Sequence, residues 1–198
     1  MPPRRKYQRP VGKRRYRKLF VIAVEGIKTE PQYFSIFNDD KNIINIKCLK
    51  KKNFSSPPQV LQRMKKYLKN EGLRGDDEAW LVVDKDEWND EQLMQLYNWS
   101  NNSDNYGFAL SNPKFEYWLL LHFEEGTGIA NTRNCVERLK RCLPNYDKDI
   151  DRSRFTMERI LAAVDRAKQR DNPPCIDWPR SQGITTVYKL VENILDEK

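Results

Sequence analysis

The chain has 198 residues, 38% of them hydrophobic and 11% aromatic with five Trp, which predicts one ordinary folded domain and excludes whole-chain disorder. No stretch approaches about 18 consecutive apolar residues and no apolar run follows the N-terminus, so neither a membrane span nor a secretory signal is expected, and the predicted address is the cytoplasm. A single His, His122, excludes sites that need two His ligands, and Cys48, Cys135, Cys142 and Cys175 contain no CxxC pair, which excludes a zinc ribbon or a thioredoxin-like motif.

In chain order, residues 1–18 come first, with nine Lys or Arg and no acid: Arg4, Arg5, Lys6, Arg9, Lys13, Arg14, Arg15, Arg17 and Lys18. The whole chain carries +8, so the rest sums to −1 and the excess charge lies in this segment. A solvated tail is one reading. The favoured one is a flexible arm that neutralises nucleic-acid phosphates, with Tyr7 and Tyr16 available to stack on bases.

Leu19–Val24 is an apolar, β-branched run, the pattern of a strand buried on both faces, and it stops at Glu25-Gly26. Thr29, Pro31 and Gln32 then predict a capped helix start, with Tyr33, Phe34 and Phe37 on its apolar face. Ile43–Leu49 reads as a second strand, and Pro58–Asn70 as a helix closed by Gly72 and Gly75. Ala79–Val83 is a third buried strand, ending at Asp84-Lys85-Asp86, and Asp90 starts the next helix. Tyr106–Leu110 is a fourth strand. Asn112 as N-cap with Pro113 at the first helical position predicts a helix through Phe115, Trp118, Leu121 and His122. The remainder reads as helices near 132–142, 155–169 and 185–196. Strands separated by helices predict a doubly wound α/β sheet of about four mainly parallel strands, with a helical C-terminal third.

In such a sheet, ligands bind beyond the carboxyl ends of the strands. The acids fall there: Glu25 after the first strand, Asp84 and Asp86 after the third, with Glu30 and Glu116 in the first turns of following helices. Carboxylates gathered in one crevice repel one another unless a cation neutralises them, and hard oxygen donors select Mg2+ or Mn2+. A metal so held suits phosphoryl-transfer chemistry. Each acid also has a plainer reading. Asp84 and Asp86 fit solvated loop positions, and Glu30 and Glu116 are favourable at helix starts in any case. Lys28 reads as a surface lysine or as a phosphate contact. His122, the aromatic stripe Phe115, Trp118 and Phe123, and the four thiols read as core.

Three segments carry a resemblance: FVIAVEGIKTEPQYF at 20–34, WLVVDKDE at 80–87 and SNPKFEYWLLLHFE at 111–124. A buried strand ending in Glu-Gly and another ending in D-x-D resemble the Toprim domain of topoisomerases, bacterial primases and overcoming-lysogenization (OLD) nucleases. The combination is more specifically similar to the RloB-like family. The resemblance implies a Toprim-like core at 19–125 between the arm and a helical extension at 126–198. It also implies a divalent-metal site with Glu25, Asp84 and Asp86 as metal ligands or general base. Glu30 stands one residue beyond the second acid of OLD nucleases. Members are often encoded beside phage-defence genes, frequently with an ATPase partner. The resemblance therefore implies a defence nuclease acting on DNA or RNA. A nucleic-acid-binding or regulatory subunit with a vestigial site stays open, as does a nucleotidyl transferase.

Overall fold

The computed structural model describes residues 17–38, 43–49, 56–85 and 88–197. Its centre is a five-stranded sheet. The strands are β1 (Lys18–Val24), β2 (Ile44–Leu49), β3 (Glu78–Asp84), β4 (Tyr106–Asn112) and β5 (Ile184–Thr185). Their order across the sheet is β2-β1-β3-β4-β5. The first four are parallel, as expected from strands separated by helices, and β5 is antiparallel to β4.

Alternation along each strand builds two cores. On β1, Phe20, Ile22 and Val24 face one side and Val21 and Ala23 the other; on β3, Trp80 and Val82 oppose Ala79, Leu81 and Val83. The second side is covered by α2 (Pro57–Asn70) and α3 (Asp90–Ser100), through Val60, Leu61 and Met64 and through Leu93, Leu96 and Trp99. The first side holds the larger core, covered by α1 (Thr29–Phe34), α4 (Phe115–Leu120), α5 (Thr132–Cys142), α6 (Met157–Arg170) and α7 (Val187–Asp196). Gly107 is set by a neighbour: a Cβ there would overlap the Trp80 indole on the paired strand.

Several local expectations are corrected. The capping box at Thr29 does not form. Lys28 is the N-cap residue, and no side chain caps α1. Thr29 Oγ1 instead donates to the Lys148 carbonyl at 2.9 Å, and Gln32 bonds Asp149 and Ile150. Asn112 is not an N-cap either. It remains in β4, its Nδ2 donating to the carbonyls of Pro179 and Arg180, and α4 begins only after Lys114. The last expected helix is present but starts two residues later, at Val187, because Thr185 pairs with Ser111 in the sheet. Of the four cysteines only Cys135 is fully buried. His122 is a core residue as expected. The Trp118 carbonyl can only accept, so His122 Nδ1 carries the proton and Nε2 accepts from the Tyr33 hydroxyl. Burial pushes this imidazole down to about 3.

Candidate active site

The carboxyl ends of β1, β3 and β4 lie side by side, with Val24 opposite Val82 and Asp84 opposite Ser111. Backbone bonds extend the alignment past the strands, from Glu25 N to Val82 O and from Lys85 N to Ser111 O. At this edge opens a cavity of about 530 Å3 whose walls include Glu25, Glu30, Asp84 and Glu116. Four of the five acids singled out in the sequence therefore meet. The fifth, Asp86, lies outside the described residues.

Each acid is held by a specific partner. Glu25 accepts from the Trp88 indole N–H at 3.0 Å and from the Asp84 backbone N–H at 3.2 Å. Asp84 Oδ1 accepts from Phe115 N at 2.8 Å, which joins the end of β3 to the start of α4. Glu30 is buried and accepts from Gly26 N at 2.8 Å. Gly26 has a steric reason here, since a Cβ on it would overlap the Glu30 carboxylate. Glu116, also buried, accepts at Oε1 from the Tyr146 hydroxyl at 2.8 Å and from the Lys148 ammonium.

These surroundings divide the acids. Burial, then the charges of Glu30, Glu25 and Glu116, pushes Asp84 well above the usual carboxylate range. Burial likewise raises Glu30, with Glu116 adding to it and the Gly26 N–H and Lys148 opposing. Burial alone would raise Glu116 too, but the Lys148 charge and the bonds from Lys148 and Tyr146 outweigh it and hold Glu116 low. The expected mutual repulsion thus acts on Asp84 and Glu30 and is reversed at Glu116. Among the described residues no group of three or more His, Cys, Asp or Glu stands at metal-holding spacing.

Lys28 lines the cavity mouth, exposed, and pairs with Asp149 at 3.4 Å. Of the arm, Arg4, Arg5, Lys6, Arg9, Lys13, Arg14 and Arg15 lie outside the described residues. Lys18 belongs to β1 rather than to an arm. Its ammonium bridges Glu78 at 2.8 Å and Glu197 at 2.7 Å, which ties it into the body. The sequence reading missed Tyr146 and Lys148. They sit in a polar stretch between helices and have no apolar period or capping pattern to mark them. No described helix is long and apolar enough to cross a membrane.

No curated protein and no solved structure matches the chain. A family model described as RloB-like protein matches residues 20–194, which cover β2 to β5, β1 from Phe20 onward, and Glu25, Glu30, Asp84 and Glu116. The chain belongs to the RloB-like family.

Proposed function

We propose that this protein is a Toprim-type nuclease that cleaves phosphodiester bonds in DNA or RNA with Mg2+ or Mn2+, as an anti-phage defence effector with an ATPase partner. The observation that carries the reading is the convergence of Glu25, Glu30, Asp84 and Glu116, from three separate stretches of chain, on one cavity. Carboxylates with no His among them form a hard donor set. Burial first and repulsion second raise Asp84, and a divalent cation would relieve the repulsion. Glu25, Asp84 and Asp86 would hold the cation. Bound there, it would polarise the phosphodiester and lower the pKa of an attacking water. Glu30, raised by burial and oriented by the Gly26 N–H, would serve as a proton acceptor. Lys28, which lines the cavity and pairs with Asp149, would meet a substrate phosphate. The basic arm would add affinity without sequence preference.

The test is incubation with mixed cellular RNA and plasmid DNA, with and without Mn2+ or Mg2+, alongside calorimetric metal titration of wild type and Asp84→Ala. Cleavage that needs metal, with binding and cleavage both lost in Asp84→Ala, is the expected result. A wild type that neither binds metal nor cleaves would leave a nucleic-acid-binding subunit with a vestigial site.

A further inference from the structure

The cavity is lined in part by Asp147 and Lys148, which belong to a strap, residues 146–150, that follows α5. Its conformation is unusual. Lys148 has φ of 64°, and among the described residues no other non-glycine adopts a positive φ. A lysine takes this left-handed conformation only where surrounding contacts over-determine it. Those contacts are present on both sides. The Lys148 carbonyl accepts from Thr29 Oγ1 at 2.9 Å. Asp149 accepts from Gln32 Nε2 at 2.6 Å, and Ile150 N donates to Gln32 Oε1 at 2.8 Å. The strap is thus latched to α1, which also carries Glu30.

The backbone so fixed sends two side chains to a single atom. The Tyr146 hydroxyl and the Lys148 ammonium both donate to Glu116 Oε1. The Glu116 side chain is 3% exposed and that of Lys148 56%. Water solvates the lysine but not the carboxylate, so this differs from a surface pair, in which water serves both partners. Removing the cation leaves a desolvated carboxylate beside Glu30 and Asp84.

We propose that Lys148 is a positioning residue of the acidic cavity, acting through Glu116 to keep that carboxylate charged and aimed, so that the strap belongs to the active site. In its catalytic consequence this rests on the nuclease reading above. Its physical content, the coupling of Lys148 to Glu116, does not.

The experiment is a double-mutant cycle with Lys148→Met, Glu116→Gln and the pair, plus Lys148→Arg, on the full chain. It is read by thermal melting without metal and by cleavage kinetics with Mn2+. Lys148→Met should lower Tm by about 4 °C or more. The double variant should melt within about 2 °C of Glu116→Gln alone, because no unpaired charge remains. Lys148→Arg should restore wild-type melting. In kinetics, Lys148→Met should reduce kcat roughly 10-fold with little change in KM, and should cause no further loss in the Glu116→Gln background. Additive melting shifts, or a Lys148→Met protein equal to wild type in melting, would overturn the proposal. If Lys148→Met does not fold, recovery of folding in the double variant still reads the coupling, and its absence counts against it. If wild type cleaves nothing, the nuclease reading falls while the melting cycle still decides the coupling.

Discussion

The molecule buries titratable side chains in two contrasting ways. His122 is dissolved in the core, both ring nitrogens bonded, among Tyr33, Trp118 and Phe155. The acids Glu30, Asp84 and Glu116 instead share the wall of a cavity and act on one another's charge. A lone buried group reaches a neutral, satisfied state and has no further chemistry to offer. Clustered groups around an opening stay frustrated, and a ligand relieves the frustration. The two centres also respond to pH in opposite directions. His122 is depressed to about 3, so between that value and about 6.5 the unfolded chain binds more protons than the fold, and stability falls as pH falls. Asp84 and Glu30 are raised, so they contribute stability at low pH that is lost as pH rises through their folded values.

The largest expected effect is at the cavity. Asp84→Asn should reduce cleavage at least ~100-fold while leaving Tm without metal equal to or above wild type, since one repelling charge is gone. It should also flatten the loss of stability toward high pH, measured by melting across a pH series. A variant that melts well below wild type would make Asp84 structural and erase the contrast with His122.

His122→Gln sharpens the other side. The wild-type fold should lose on the order of 4 kcal/mol through His122 alone by pH 3, read by denaturant unfolding against pH. The variant should be less stable near pH 8, where a satisfied core group is missing, yet should show a shallower acid slope. Parallel acid slopes would place the sensitivity elsewhere.

Gly26→Ala tests how tightly the cavity is built. The added methyl overlaps the Glu30 carboxylate, so the variant should lose about 1–3 kcal/mol and several-fold in cleavage. A companion Glu30→Gln variant should respond less to the same methyl if its amide turns aside. Unchanged melting and turnover would show that Glu30 can move without consequence.

The smallest effect on stability is expected from deleting residues 1–16, which leaves Lys18 and its two acid partners in place. Melting should be unaffected. Binding to a labelled duplex and a labelled RNA should weaken, with a log–log salt slope reduced by roughly 0.7–0.9 per lost phosphate contact. Parallel slopes for full-length and shortened protein would reduce the segment to a solubility tail.

What the sequence made legible follows the range of the interactions. The strands were readable because burial on both faces demands continuous apolar runs such as Phe20–Val24 and Leu81–Val83, and the acids stood out where those runs stop. His122 was readable as core from its apolar helix face. Signals with a distant competitor misled. Thr29 and Gln32 have capping spacing, but groups near residue 149 claim their side chains. Asn112 has N-cap chemistry, but the Pro179 and Arg180 carbonyls use it. The two-residue β5 is too short to leave a period, and Lys148 is one lysine among many until the fold brings Glu116 to it.

The order in which the pieces leave the ribosome gives the β5 pairing another meaning. Strands β1 to β4, with Glu25, Glu30, Asp84 and Glu116, are synthesised before residue 117, whereas the strap with Asp147, β5 and α7 follow. Thr186 N then donates to Leu110 O, and Thr186 Oγ1 accepts from Leu110 N, closing the edge of β4 from 76 residues away. Such long-range closure comes late in folding, because the entropy of joining distant segments must be met first. A nascent chain therefore exposes its acid-bearing sheet before Lys148 and the closing strand are available. The cavity reaches its final form only after the strap and β5 have joined the sheet that precedes them.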